Sequence, residues 1–125
     1  MNDYEKIPRS QRVAVLLKKE LSELILTHVK DPRVKSVILT NVIVTKDLRE
    51  AKVYFSRYDN LKNSEETLQK SLEGLNKAGK FLRVKIGNKL NLRNIPVLKF
   101  FIDNTIANIS EIDRLLEKLS TDQEL

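Results

Sequence analysis

The densest chemistry in the sequence is cationic. From Lys77 to Lys99 the chain carries Lys77, Lys80, Arg83, Lys85, Lys89, Arg93 and Lys99 and no Asp or Glu. Ammonium and guanidinium groups spaced along a surface can neutralise successive phosphates without reading any base, so the run fits a nucleic-acid backbone. The plainer alternative is a solvated lysine-rich face that keeps the protein soluble. Three further cations, Arg9, Arg12 and Arg33, lie in the first third of the chain. If Leu82, Ile86 and Leu90 form a buried stripe, Lys80, Lys85 and Lys89 fall outside or beside it and Arg83 falls on the other flank, so one helix face cannot present them all to one strand. Phe81, Phe100 and Phe101 could stack on bases, although alternating aromatics in a strand more often belong to the core.

Other chemistry is sparsely supplied. The chain has one histidine, no cysteine and three glycines. This excludes a thiolate nucleophile, a disulfide framework and cysteine-held zinc or iron–sulfur. His28 near the end of a helix suits the negative end of the helix dipole better than a catalytic role. Glu65 and Glu66 are adjacent, so on a helix they point in different directions and serve the first-turn dipole rather than a cation. Gly79, Lys80 and Gly87 reproduce neither the phosphate-loop nor the dinucleotide glycine pattern. The residues therefore predict a protein with no catalytic residues, no metal and no cofactor.

The elements that must position the cations can be read from periodicity. Ser10 is placed to cap a helix whose apolar positions Val13, Leu16, Leu17, Leu21, Leu24, Ile25 and Val29 follow helical spacing. Asp31-Pro32 ends it, because the residue before proline is driven out of the helical region. Val37 to Thr45 and Ala51 to Tyr58 read as an antiparallel hairpin about Asp47-Leu48-Arg49-Glu50. The first strand lacks a clean period of two, so it is buried on both faces or carries a bulge. A helix starts near Ser64 and continues through Leu68, Leu72 and Leu75. Ala78-Gly79 is read as a kink, followed by a second helix through Leu82, Ile86 and Leu90. Pro96 opens a strand to Asp103, and Asn104 or Thr105 can cap a last helix with the stripe Ile106, Ile109, Ile112, Leu115, Leu116 and Leu119. The expected architecture is α+β, in the order α-β-β-α-kink-α-β plus a C-terminal helix, with a three-stranded sheet backed by helices.

Size and balance agree with one domain. A chain of 125 residues can bury roughly two thirds of its extended surface, enough for a core without disulfides. Residues 1–8 read as a flexible tail, 9–120 as the domain and 121–125 as a second tail. No apolar run is long enough to cross a bilayer, and Asp3 and Glu5 in the first residues are unlike a secretory or transit signal. A cytoplasmic monomer is expected, since one core accounts for the apolar stripes and no heptad repeat persists. The net charge of +6 permits a nucleic-acid partner. It is unevenly laid out, because after Asn104 five acids, Glu111, Asp113, Glu117, Asp122 and Glu124, outnumber Arg114 and Lys118.

Several short motifs together carry a resemblance. They are Arg9-x-x-Arg12-Val13-Ala14, Lys30-Asp31-Pro32-Arg33, Asp47-Leu48 followed by Ala51-Lys52-Val53-Tyr54, Phe81-Leu82-Arg83, and Leu92-Arg93-x-x-Pro96-x-Leu98-x-Phe100-x-x-Asp103. In order and spacing, from about Arg9 to Leu119, the chain resembles the ribosome-binding factor A family, and its element order resembles the type II KH fold. The resemblance implies a non-enzymatic assembly factor that binds the small (30S) ribosomal subunit and its 16S rRNA during late maturation and pre-rRNA processing. It also implies that the nucleic-acid clamp loop of ordinary KH domains is replaced by a kink at an Ala-x-Gly triplet. Aligned on Phe81, that triplet falls at Ala78-Gly79-Lys80, with lysine at the family's glycine position. The expected RNA-binding residues are Arg9, Arg12, Arg33, Lys77, Lys80, Arg83, Lys85, Lys89 and Arg93, with Ala78 and Gly79 forming the kink. The alternative is a protein-interaction module that contacts a ribosomal protein or a maturation GTPase through its acidic last helix or a strand edge.

Overall fold

In the computed structural model, residues 6–59 and 65–104 are described. Helix α1 spans Arg9–His28. A single 3-10 turn follows at Pro32–Val34, then strands β1 (Val37–Val44) and β2 (Glu50–Arg57), helix α2 (Glu65–Leu90) and strand β3 (Val97–Ile102). The sheet order is β1-β2-β3, with β1 antiparallel and β3 parallel to β2. This is the expected α+β class, a three-stranded sheet backed by helices. The expected last helix, with its stripe from Ile106, and the start near Ser64 lie outside the described residues.

Both helices cover one face of the sheet. Leu17 and Leu21 of α1 and Leu75, Leu82 and Ile86 of α2 are fully buried, together with Ala51, Val53 and Phe55 of the central strand. The helices run antiparallel, since Lys89 near the end of α2 meets Glu20 and Glu23 of α1 while Gly74 lies under the Asp31–Val34 turn. A Cβ on Gly74 would stand 3.0 Å from Val34 Cγ1 and 3.3 Å from Arg33 Cβ, so glycine here is what lets the turn seat on the helix.

Three local expectations are corrected. Helix α1 is capped by Pro8 rather than Ser10. The Pro8 carbonyl accepts from the amides of Gln11 and Arg12 at 3.0 and 3.2 Å, and proline's preset φ lets the helix start before Ser10, leaving that serine inside it. Leu16 is not a core position but stands 46% exposed. The two helices expected around Ala78-Gly79 are one continuous 26-residue helix. Gly79 keeps a negative φ, and a lone glycine costs only about 1 kcal/mol in a helix, too little to break one anchored by Leu75, Leu82 and Ile86. The helix ends instead at Asn91, whose φ of 51° makes a left-handed C-terminal cap.

The irregular first strand is resolved as a bulge between Leu39 and Asn41. The extra residue restores phase, so Leu39, Val42 and Val44 all face the core. It also brings the Thr40 hydroxyl to donate to the Asp103 carboxylate, two strands away.

The continuous helix makes a direct prediction. A Cβ at Gly79 would meet only the Phe100 ring, at 3.9 Å. Gly79→Ala should therefore stabilise the protein by about 0.5–1 kcal/mol, read as a higher urea midpoint with unchanged slope. Gly74→Ala should lower the midpoint. A destabilised Gly79→Ala would mean that the chain needs a helix break at that position.

Candidate nucleic-acid interface

The end of α1, the Asp31–Val34 turn and the middle of α2 enclose an open groove of about 430 Å³, lined by His28, Val29, Lys30, Asp31, Gly74, Lys77, Ala78 and Phe81. Lys30 and Lys77 are exposed on its walls. Phe81 is 42% exposed, and the Lys85 ammonium lies 5.8 Å from its ring centroid, within cation–π range. Lys80 is exposed one turn from Lys77. The groove thus joins an aromatic face to Lys30, Lys77 and Lys85. An aromatic face can carry an unstacked base and ammonium groups can hold the adjoining phosphates.

The expected cations separate into three groups. Lys77 lines this groove, Lys85 lies against its Phe81 ring, and Lys80 is exposed on the same helix. Arg9 and Arg93 meet beside the hairpin turn, where they line a second, smaller pocket with Asp47, Leu48, Leu92 and Asn94. That pocket lies at the opposite end of α1, roughly 30 Å away for a 20-residue helix. Arg12 is half-buried on the same helix. The third group is engaged in holding the fold. Lys89 lies 2.7 Å from Glu20 and 3.5 Å from Glu23. The carboxylates, chiefly that of Glu20, hold its ammonium above the ordinary lysine range. Arg83 donates to the Ile95 carbonyl at 2.9 Å and so ties the 91–96 loop to α2. Arg33 is gripped by Asp31 through Nε and Nη2, the shortest bond being 2.6 Å, with Glu73 at 3.7 Å.

Two roles were only partly legible in the sequence. His28 reads as a helix-end residue and Lys30 only as part of a motif, yet the turn after α1 makes both of them groove walls. Phe81 reads as either a stacking or a core aromatic, and its position next to Leu82 places it one step off the buried stripe. The helical period alone carries that signal.

Asp31 organises the groove's floor. Its Oδ1 accepts from the Arg33 amide at 2.9 Å, which caps the 3-10 turn, while the same carboxylate grips the Arg33 guanidinium. The hydrogen bonds from Arg33, side chain first and then backbone, hold the Asp31 carboxyl down from the ordinary 3.8 to about 2.

A family model described as Ribosome-binding factor A matches residues 9–116. The chain belongs to the ribosome-binding factor A family. Among its relatives, the Ribosome-binding factor A of Caldanaerobacter subterraneus subsp. tengcongensis is 41% identical over 113 residues, covering 90% of this chain and 89% of that protein. The crystal structure of ribosome-binding factor A from Thermus thermophilus matches with a TM-score of 0.63 at 25% identity, covering 74% of this chain and 93% of that one. A homology model of the Thermus thermophilus factor, fitted into a cryo-EM map of a 30S–RbfA complex, matches with a TM-score of 0.58 at 26% identity, over 72% and 90% of the two chains. The Lys30-Asp31-Pro32-Arg33 stretch that carries part of the sequence resemblance contributes Lys30 and Asp31 to the groove's lining. Among the described residues no helix is long and apolar enough to cross a membrane.

The depressed Asp31 carboxyl predicts an acid-side signature. Its folded pKa lies below the unfolded one, so its contribution is fully present above about pH 4 and is lost as pH falls towards 2. Asp31→Asn should lower stability at neutral pH and flatten the decline between pH 4 and pH 2. Chemical denaturation at several pH values checks this, and equal slopes for the two proteins would show that the pair contributes nothing.

Proposed function

We propose that the chain is a non-enzymatic assembly factor that binds the small ribosomal subunit and its 16S rRNA during late maturation and pre-rRNA processing, in the cytoplasm. Membership of the ribosome-binding factor A family and the fitted 30S complex of the Thermus relative support the partner. The observation that carries the RNA reading is the groove, where Lys30 and Lys77 line the walls beside the exposed ring of Phe81, with Lys85 against that ring and Lys80 exposed on the same helix. Ammonium groups on flexible stems grip phosphate as point charges, without the bidentate geometry that reads a base edge. Recognition by shape and charge follows, as suits a partner whose ribosomal RNA is already folded. Among the described residues no three His, Asp or Glu side chains converge as a metal site would need, and no step of the proposed role calls for one.

The partition of cations sets the experiment. Lys77→Gln, Lys80→Gln and Lys85→Gln together remove charge and keep helix propensity, so the fold should melt as before. Affinity for precursor small subunits should fall, and the slope of log affinity against log salt should shrink by up to roughly 0.9 for each phosphate no longer neutralised. Lys89→Gln should do the reverse, lowering the melting midpoint by removing the partner of Glu20 and Glu23 while leaving the salt slope unchanged. Binding and salt slope unchanged in the triple variant would transfer the RNA site to the Arg9 and Arg93 pocket. Crosslinking in cells that returned no ribosomal RNA would overturn the proposal itself.

A further inference from the structure

Strand β1 is one edge of the sheet, and its backbone is open over a short stretch. The Tyr58 amide donates to the Ser36 carbonyl at 3.1 Å, so these two residues form a bonded pair, and antiparallel alternation makes Ile38 and Ser56 the next one. Val37 and Leu39 therefore direct their N–H and C=O groups outwards, where no strand of the described residues meets them. Past the bulge the outward Val42 amide is taken by the Asn41 side chain at 3.0 Å, which blunts the edge there.

The open stretch borders an apolar cleft between β1 and the second half of α1. Ile25 and Leu26 of α1, Val37 to Leu39 of β1 and Tyr58 line a space of about 200 Å³. Ile25, Leu26 and Tyr58 continue it into one of about 480 Å³ that reaches Pro32 and Lys35. Leu26 is 81% and Tyr58 65% exposed. Single exposed apolar residues are ordinary, but two of them beside an unpaired strand edge mark a place where another chain can dock. We propose that the cleft takes an extended segment of a partner protein, which adds a strand to Val37–Leu39, lays every second side chain, apolar, on Leu26 and brings an acidic residue to Lys35.

Strand addition draws affinity from main-chain hydrogen bonds and specificity from pockets for alternate side chains, and both are present here. A strand paired to β1 lies about 4.8 Å outside it, over the cleft, so one of its faces rests on α1 and the other meets water. Charge selects the sign of the partner. Lys30 and Lys35 line the larger space with no ion pair among the described residues, whereas Asp31, the one acid there, is held by Arg33. The cations left over favour Asp or Glu in the docked segment. A second copy meeting this edge would bring the same lysines. An RNA strand would meet aliphatic walls and strand amides, a poorer surface for bases than the Phe81 groove. The proposal goes beyond the RNA reading and does not rest on it, since the cleft shares only Val29, Lys30 and Asp31 with that groove.

Peptides selected from a random phage-displayed library on the full-length protein are the probe. They should alternate apolar residues and carry Asp or Glu, and on binding they should protect the Val37 and Leu39 amides from hydrogen exchange and move the Leu26 methyl shifts. N-methylating the peptide residue whose amide meets the β1 edge should weaken binding about tenfold, while N-methylating its neighbour should have little effect. Leu26→Gln, at a position already in water, should melt as before and bind the peptides about tenfold more weakly. Lys35→Gln should cost roughly two- to fivefold. Both variants should keep the salt slope for precursor small subunits, so a failure of the RNA reading would appear in that slope and leave peptide binding intact. Selection that yields no such peptides, or peptides indifferent to N-methylation and to Leu26→Gln, would overturn the proposal. So would edge shifts that move with protein concentration alone, which would assign the edge to a second copy, or that move on adding ribosomal RNA and not on adding peptide.

Discussion

The Arg57 guanidinium lies at the junction where the end of β2, the turn after α1 and the first half of α2 meet. Only 9% of its side chain is exposed, so its charge has to be matched inside the protein. One nitrogen donates to the Arg33 carbonyl at 3.2 Å and to Ser71 Oγ at 2.8 Å. The other edge grips Asp59 at 2.9 and 2.7 Å, which in turn holds the Asp59 carboxyl below its usual range. Ser71, itself fully buried, donates to the same Arg33 carbonyl at 2.7 Å. A desolvated guanidinium left without these partners would cost several kcal/mol, about 3–5. The clamp therefore fixes where the turn sits on α2, and with it the position of Asp31, Gly74 and the walls of the groove.

From that constraint the division of labour among the basic residues follows. The turn brings the end of α1 onto the middle of α2, and the helices run antiparallel, with the second half of α1 beside the stretch of α2 from Gly74 to Lys89. Lys89 then falls against Glu20, whose side chain is only 12% exposed, and the two neutralise each other. Lys77, Lys80 and Lys85 sit further towards the start of α2, where no acid of α1 reaches them. A cation beside a half-buried carboxylate contributes to the fold and is unavailable to phosphate, whereas a cation on an open wall contributes little to stability and is available. The same residue type in one unbroken basic run thus serves two ends, and packing geometry decides which.

Much of this order was legible in periodicity. The apolar spacing of α1 and α2, the proline after Asp31 and the alternation in β3 are local signals, and each element formed where its signal lies. The ambiguous first strand was also legible as an irregularity, because Leu39 and Val42 cannot share a face without an extra residue between them. The failures lie where a neighbouring or tertiary partner outweighed a local preference. Ser10 is a good cap, but Pro8 starts the helix before it. Gly79 is a helix breaker by composition, but Leu75, Leu82 and Ile86 on either side are anchored in the core and carry the helix through. The site was harder to read than the fold, since neither the Lys89 pair with Glu20 nor the Arg33 pair with Asp31 and Glu73 can be inferred from a count of charges. Such pairs depend on how turns and helices meet in space, which a one-dimensional pattern does not contain.

The two faces of the sheet pose different physical problems, and the sequence answers them with different residues. The helical side must bury large apolar area and still leave cations free, so its charges sit at helix flanks, one step off the buried stripe, as Phe81 and Lys85 do beside Leu82 and Ile86. On the other face, strand alternation and register put apolar residues and lysines in the same rows, with Ile43, Lys52 and Lys99 in one and Tyr54 and Phe101 in the next. Mixed rows of this kind are poorly served by water, which leaves the apolar half uncovered, and by a purely apolar partner, which would strand the lysines. The two surfaces therefore differ chemically, since the groove sets cations beside an aromatic ring, whereas the other face interleaves apolar side chains with lysines, one of them paired with Glu50.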